Sequence, residues 1–334
     1  MFVIEWIQAT SMDDARASHT ATALSDGRIL VAGGVNTATT LYTAEIYDPI
    51  LNSWNDVADM INAREGHTAT KLNSGSVLIV GGMASLSTLN NTEIYEPSTQ
   101  TWIPRRNLNI ARVYHSATLL NNGKVIVIGG FSDGIFLNSV ELYDPIIDTW
   151  SSMRNMSHRR GSHTATLLPD GEILVTGGFD GTAAVVSAES YNPITDNWTL
   201  IGNLIPARNR HQATILANQK VFITGGFDSS VLNSCVLYEY TTRSFTAAAN
   251  MAVARFSHGQ MILPDNKVLV IGGTGNTGVI NSVEVYDSST NTWSHVSNLN
   301  FSRTQHTATI LQNGHVLVAG GQNNPNYFSS VEIL

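Results

Sequence analysis

Residues 160–178, RGSHTATLLPDGEILVTGG, contain the pattern that decides the fold. In this stretch a run of aliphatic residues ends in a Gly-Gly pair. The same pair ends an aliphatic run seven times along the chain, at Gly33-Gly34, Gly81-Gly82, Gly129-Gly130, Gly177-Gly178, Gly225-Gly226, Gly272-Gly273 and Gly320-Gly321. The step between pairs is 48 residues, with one step of 47. A fixed period of this length predicts a repeat architecture with one supersecondary unit per repeat.

Four other residue types keep the same period. The repeated histidines are His19, His67, His115, His163, His211, His258 and His306. An arginine precedes each of them by three residues, at Arg16, Arg64, Arg112, Arg160, Arg208, Arg255 and Arg303. After the glycines come a tyrosine and then an aromatic residue, at Trp54, Trp102, Trp150, Trp198, Phe245 and Trp293. The units fill the 334 residues, so we expect one domain spanning 1–334.

Each unit is predicted to form four short strands. The first contains His-Thr-Ala-Thr, the second is the aliphatic run, the third alternates as in residues 44–47, and the fourth carries the tryptophan. Glycine-containing turns such as residues 25–27 separate them. Short strands at regular spacing predict an all-β fold. A second strand that is apolar at successive positions must be covered on both faces, as it is in a sheet packed between two neighbouring sheets.

The combined pattern of R-x-x-H-T-A-T, an aliphatic run with Gly-Gly, Glu-x-Tyr-Asp-Pro and Trp resembles the kelch repeat. The resemblance covers the whole chain. It implies a seven-bladed β-propeller of four-stranded antiparallel blades. The resemblance assigns no single activity, because the fold hosts many functions.

The two chain ends are expected to close the ring. The last unit stops at residues 331–334, where the other units reach their tyrosine, so its fourth strand is missing. The N-terminus contains an unassigned Glu5-Trp6. We therefore expect residues 1–9 to complete blade seven, which removes a free sheet edge.

Composition excludes several classes of partner and cofactor. The net charge of −8 disfavours nucleic acid, and the single cysteine, Cys235, excludes a disulfide scaffold or thiolate metal cluster. No apolar run approaches membrane-spanning length, so we expect no membrane insertion. The N-terminus lacks a signal-peptide pattern. The compartment stays open between the cytoplasm and an excised extracellular domain, and we expect a monomer.

The repeated polar residues are expected to be structural. Histidines spread around a ring do not converge within about 2 Å of one ion, so we predict hydrogen bonds and neither metal nor cofactor. The arginines are predicted to form half-buried ion pairs with Glu45, Glu93, Glu141, Glu189, Glu284 and Glu332. Val236 occupies the glutamate position of unit five, so Arg208 should lack this partner.

Candidate ligand-binding residues precede the histidines. The second-to-third-strand loops and the links between blades should share one face, and they vary between units, whereas the turns on the other face are short. Binding residues favour varied loops on a rigid frame. The residues before each histidine also vary and open the innermost strand at the channel mouth. The predicted binding residues are Arg210, Asn209, Tyr114, Phe256, Glu65, Ser18, Ser162 and Gln305.

Three functions stay open. The first is a non-catalytic scaffold that binds a protein segment or a glycan at the varied face. In kelch ubiquitin-ligase adaptors, arginines of this region read an acidic peptide, and the resemblance maps best onto Arg210 between Tyr114 and Phe256. The second is a sugar enzyme of the kelch mutarotase type, with Arg210, Glu65 and Tyr114 as acid–base candidates. The third is a structural or engineered repeat protein without a native ligand.

The resemblance also extends to copper radical oxidases, which need a cysteine crosslinked to a tyrosine. Cys235 is predicted on the third strand of the divergent fifth unit, which matches that requirement poorly. We therefore expect no enzymatic activity of this type.

Overall fold

The computed structural model describes residues 5–334, and in that range it forms seven four-stranded antiparallel sheets arranged as the blades of a propeller. No helix occurs in residues 5–334. The all-β, seven-bladed fold expected from the repeat is thus confirmed. It follows that none of the described residues belongs to a helix long and apolar enough to cross a membrane.

In blades one to six the strands run outward from the channel in chain order, whereas the outermost strand of blade seven comes from the N-terminal segment. Blade one contains Thr20–Ala23, Ile29–Ala32, Ala44–Asp48 and Ser53–Asp56; blade two Thr68–Lys71, Val77–Val80, Thr92–Glu96 and Thr101–Arg105; blade three Ser116–Leu119, Val125–Ile128, Val140–Asp144 and Thr149–Met153; blade four Thr164–Leu167, Ile173–Thr176, Ser187–Asn192 and Asn197–Asn203. Blade five contains Gln212–Ile215, Val221–Thr224, Cys235–Glu239 and Ser244–Ala248; blade six Gly259–Ile262, Val268–Ile271, Val283–Asp287 and Thr292–Val296; blade seven Thr307–Ile310, Val316–Ala319, Val331–Ile333 and Ile7–Ala9. The first strands lie side by side around the axis.

The core consists of apolar layers between neighbouring blades. Each second strand is buried along its whole length, as in Ile29–Ala32. Ile29 and Val31 pack against Leu317 of blade seven. The intervening residues of this strand pack against blade two, so the strand is covered on both faces, as its unbroken apolar sequence requires.

The N-terminal segment completes blade seven. Ile7–Ala9 pairs antiparallel with Val331–Ile333. Trp6 is buried, and its Nε1 donates a hydrogen bond of 2.8 Å to the carbonyl of Ser297. Trp54 makes the equivalent bond, 2.9 Å long, to the carbonyl of Thr10. The closure is as expected, although residues 1–4 of the predicted closing segment 1–9 lie outside the described residues.

The Gly-Gly pairs allow neighbouring blades to approach closely. Gly33 and Gly34 have φ values of 64° and 99°, in the region that favours glycine. A Cβ on Gly33 would lie 2.6 Å from the carbonyl oxygen of Arg64 in the next blade. That same oxygen accepts a 2.8 Å hydrogen bond from the N–H of Gly34. A side chain at Gly33 would therefore push the two blades apart.

The repeated arginines pair with the repeated glutamates, but the pairs are fully buried and not half-buried as expected. Arg64 Nη2 lies 2.7 Å from Glu93 Oε1, and the exposed fractions of the two side chains are 0% and 2%. Both charges lie inside the blade because the arginine also donates to backbone carbonyls, here those of Gly81 and Asn91. The described pairs are Arg16–Glu45, Arg64–Glu93, Arg112–Glu141, Arg160–Glu189, Arg255–Glu284 and Arg303–Glu332.

Blade five lacks this ion pair, as the sequence indicates. Arg208 is buried and donates to the carbonyls of Gly225 and Ser234 and, at 3.0 Å, to the Ser234 hydroxyl. Burial without a carboxylate lowers the pKa of Arg208 to about 10. Val236 stands where the other units have a glutamate, so no carboxylate is present. Pro206 in the adjoining link has no N–H that could donate a hydrogen bond to such a carboxylate.

Replacing one glutamate with valine should strongly destabilise the protein. We expect Glu93→Val to lower the free energy of unfolding by about 3–5 kcal/mol, because Arg64 would stay buried without its counter-charge. The N–H of Ile61, which donates to Glu93 at 2.8 Å, would also lose its acceptor. Urea unfolding measures the change.

The matched control is the surface pair Arg28–Asp26, whose closest N···O distance is also 2.7 Å. Asp26→Ala should cost at most about 1 kcal/mol, since exposed ion pairs contribute little. Equal effects for Glu93→Val and Asp26→Ala would contradict the role of the buried pair.

Candidate functional site

The channel mouth is surrounded by the seven residues that directly precede the repeated histidines. These mouth residues differ in side chain but share a left-handed backbone, with φ between 49° and 61°. Non-glycine residues adopt this conformation rarely, so a common constraint must impose it. The mouth residues are Ser18, Gly66, Tyr114, Ser162, Arg210, Ser257 and Gln305.

That constraint is a closed ring of backbone hydrogen bonds. Each mouth residue donates its N–H to the carbonyl of the mouth residue in the preceding blade, as Arg210 does to Ser162 at 2.9 Å. Ser18 donates to Gln305 at 3.1 Å and so closes the circle. The longest bond, 3.4 Å, joins Gln305 to Ser257. The residue types at these positions vary, but their backbone conformation is the same in all seven blades.

Below the mouth, the repeated histidines form a belt of hydrogen bonds between blades. His67 Nε2 lies 3.0 Å from the hydroxyl of Thr20 in the preceding blade. Burial lowers the pKa of every one of these histidines, and the neighbouring repeated arginine lowers it further; for His67 it falls to about 3. The belt is therefore neutral at pH 7. The Nε2–hydroxyl pairs are His19–Thr307, His67–Thr20, His115–Thr68, His163–Ser116, His211–Thr164 and His258–Thr224.

The mouth and the belt enclose an axial cavity of about 360 Å³. Because the histidines are neutral, Arg210 is the only charged side chain among the described residues that line it. The Arg210 guanidinium has no hydrogen bond or ion pair to the described residues, and lies 5.9 Å from the centre of the Phe256 ring. The cavity thus presents a cation without a protein counter-charge.

The Tyr114 phenol lines this cavity, and the Glu65 carboxyl interacts electrostatically with that phenol. Burial raises the pKa of the Glu65 carboxyl. Burial also raises the pKa of Tyr114, and the negative charge of Glu65 raises it further, while Arg210 opposes the shift. Tyr114 is therefore coupled electrostatically to both Glu65 and Arg210.

The eight predicted binding residues fall into two groups. Five of them line the cavity: Ser18, Tyr114, Ser162, Arg210 and Gln305. The other three precede a mouth residue and instead pair through their backbone with the second-to-third-strand loop of their own blade, as Glu65–Met83, Asn209–Phe227 and Phe256–Thr274. The cavity is also lined by residues that were not predicted to bind: Gly66 and Ser257 at mouth positions, Thr164 and Gln212 directly after a repeated histidine, and five of the seven repeated histidines.

Aromatic side chains gather on the same face in blades three to six. Phe136 contacts Phe131 and Phe179, with ring centroids 5.0 and 5.4 Å apart. Phe227 and Phe256 lie 5.6 Å apart, and Phe227 is partly exposed. These residues occupy the second-to-third-strand loops and the segments entering the first strands, so one arc of this face carries a cluster of aromatic side chains.

One acidic cluster lies outside the channel. Single oxygens of Asp13, Glu45 and Asp56 lie within 4.8 Å of one another. Glu45 already accepts bonds from Arg16 and from the N–H of Asp13. These bonds explain its position without a metal ion.

Comparisons with known proteins agree with this architecture. Residues 162–334 match the KLHDC2/KLHL20/DRC7 Kelch-repeats domain, and residues 4–187 match the Attractin/LZTR1 beta-propeller. No curated protein is similar enough in sequence to match.

Two solved structures share the fold. The first is a "novel fungal alcohol oxidase with catalytic diversity among the AA5 family, in complex with copper", with 17% identity, a TM-score of 0.81, and coverage of 98% of this chain and 76% of that one. The second is the structure of YjhT, with 14% identity, a TM-score of 0.67, and coverage of 86% and 99%. At these identities the likeness concerns the fold alone. From the repeats, the seven blades and the matching domains, the chain belongs to the kelch-repeat β-propeller family.

Proposed function

We propose that this protein is a non-catalytic recognition module that binds an acidic protein segment at the channel-mouth face, acting as a monomer. The observation that carries the proposal is the Arg210 guanidinium, which faces the axial cavity without a protein counter-charge. No carboxylate is present among the described residues that line the cavity. A ligand carboxylate would supply the missing charge through charge-assisted hydrogen bonds.

The surroundings of Arg210 support a peptide ligand. Aromatic residues, phenylalanine included, are enriched in the cores of protein interfaces, and the arc formed by Phe136, Phe179, Phe227 and Phe256 lies on the same face. An acidic segment with apolar neighbours would place its carboxylate on Arg210 and its apolar groups on this arc. A glycan with a carboxylate would use the same cation, so the binding assay includes neutral and acidic glycans as competitors.

Charge reversal at Arg210 should strongly weaken binding. We expect Arg210→Glu to weaken binding of acidic peptides from a peptide array at least about 30-fold, which is the loss typical of a hot-spot residue. Arg154→Glu is the matched control, since Arg154 is exposed and does not line the cavity. Fluorescence anisotropy with each selected peptide and its Glu→Gln counterpart measures the change. Equal losses for the two variants would refute the proposal.

A sugar enzyme is the second candidate, favoured by the electrostatic coupling of Tyr114 to Glu65 and to Arg210. Burial raises the pKa of the Glu65 carboxyl, which interacts with the Tyr114 phenol. A carboxyl and a phenol of this kind are suited to exchange protons with a sugar. Nuclear magnetic resonance of anomer exchange tests this, with Glu65→Gln expected to remove any turnover. Oxidase chemistry has less support, because burial raises the pKa of the Cys235 thiol to about 12.

A further inference from the structure

The histidine belt has one gap, between blades six and seven. His306 is only 9% exposed, yet its Nε2 has no hydrogen-bond partner among the described residues. A buried polar atom without a partner is unfavourable, because it has lost its hydrogen bonds to water and gained none in the protein. The other six repeated histidines each have a hydroxyl group on Nε2. The belt is therefore incomplete at one interface only, within the described chain.

The gap has a clear origin in the sequence of blade six. The residue after the histidine is Thr164 in blade four, but it is Gly259 in blade six. In blade five, Thr224 on the paired second strand supplies the hydroxyl for His258, but Ile271 occupies that place in blade six. Both positions that could supply a hydroxyl to His306 are therefore apolar.

The unpaired nitrogen is next to the axial cavity. His306 lines that cavity together with Ser257 and Gln305. A Cβ on Gly259 would lie 3.0 Å from His306 Nε2, so the absence of a side chain there leaves the nitrogen uncovered. The longest hydrogen bond of the ring of mouth residues, 3.4 Å between Gln305 and Ser257, also lies at this interface.

The chemistry of the gap favours a hydroxyl group. A neutral imidazole nitrogen is a donor or an acceptor according to its tautomer, and a hydroxyl is both, so it fits either tautomer. The positive charges of Arg303 and Arg255 act on His306, which disfavours a metal ion or an ammonium group. Both arginines are themselves paired with buried glutamates, Arg303 with Glu332 and Arg255 with Glu284, so the surroundings of the gap are close to neutral and favour a neutral group.

We infer that the part of the axial cavity beside His306, at the interface of blades six and seven, is a subsite for a hydroxyl group of a small neutral polyol or monosaccharide. The ligand hydroxyl occupies the place that a threonine or serine hydroxyl takes at other interfaces, and it completes the belt by bonding to His306 Nε2. This subsite does not use Arg210 and does not depend on the proposed recognition of acidic segments.

The test is a titration of the full chain, labelled with ¹⁵N at histidine, with glycerol and separately with glucose. We expect one imidazole Nε2 resonance, that of His306, to shift saturably while the other six belt resonances stay in place. Gly259→Ser supplies a hydroxyl within the chain and should abolish the shift. Ser116→Thr is the matched control, because it keeps a hydroxyl on His163 and should leave the titration unchanged.

Three results would overturn the inference. The first is that neither probe causes a saturable shift up to about 100 mM, a concentration well above millimolar dissociation constants. The second is a shift that persists in Gly259→Ser. The third is a crystal structure of the soaked protein with only water on His306 Nε2. The crystal structure uses the unaltered chain, so it decides the question even if Gly259→Ser does not fold. A shift with one probe alone identifies the ligand as that class, polyol or sugar.

Discussion

Lowering the pH from 7 to 5 is expected to remove most of the stability of this propeller. The seven belt histidines are buried and neutral, and burial lowers their pKa, to about 3 for His67, His163 and His306. Unfolding restores a pKa near 6.5, so below pH 6.5 the unfolded chain binds more protons than the folded one. Stability is therefore complete above that pH and falls as the pH decreases.

The expected size of the effect follows from linkage. At pH 5 each histidine that stays neutral in the folded state contributes a loss of about 2 kcal/mol, and seven together about 14 kcal/mol. Native proteins have total stabilities of about 5–15 kcal/mol, so the belt alone suffices to unfold the chain near that pH. Urea unfolding at a series of pH values measures the slope.

A variant with one histidine fewer provides the control for this prediction. His67→Gln should be less stable at pH 7, because the bond to Thr20 is altered. Its stability should nevertheless fall less steeply below pH 6, by about 1.4 kcal/mol per pH unit, which corresponds to one proton. A free energy of unfolding that stays constant between pH 7 and 5 would show that the folded belt takes up protons freely.

Deleting residues 1–9 is the second change with a large expected effect. The deletion removes Trp6 from the core between blades six and seven and removes the outer strand Ile7–Ala9. Loss of a buried tryptophan costs about 3–5 kcal/mol, and the loss of strand pairing adds to this value. The strand Val331–Ile333 also becomes a free edge, which favours aggregation. Calorimetry and light scattering measure the two consequences.

Two point variants separate the contributions to ring closure. Trp6→Ala should reproduce about 3–5 kcal/mol of the loss, because its indole is buried and bonds to Ser297. Ile7→Ala should change stability by less than about 0.5 kcal/mol, since Ile7 is 70% exposed. An unchanged melting temperature after the deletion would mean that the ring is closed without this strand.

The sequence determined the number of blades, their strands and the closure. Each repeat contacts mainly itself and its neighbours, so the period of the glycines and histidines carries the architecture. The absence of a carboxylate partner for Arg208 also followed from one position, Val236. The sequence did not predict that the arginine–glutamate pairs are fully buried. Their burial depends on backbone carbonyls, such as those of Gly81 and Asn91, that accept hydrogen bonds from the guanidinium in the folded blade.

Only the tertiary structure decided the details of the site. Arg210 and Asn209 are adjacent in sequence, yet Arg210 lines the cavity and Asn209 is buried, because the left-handed ring turns the mouth residues toward the axis. The unpaired Nε2 of His306 depends on Gly259, which is 47 residues earlier and belongs to the neighbouring blade. A repeat sets which residue types recur, whereas the partner of each side chain is set by what the next blade presents across the interface.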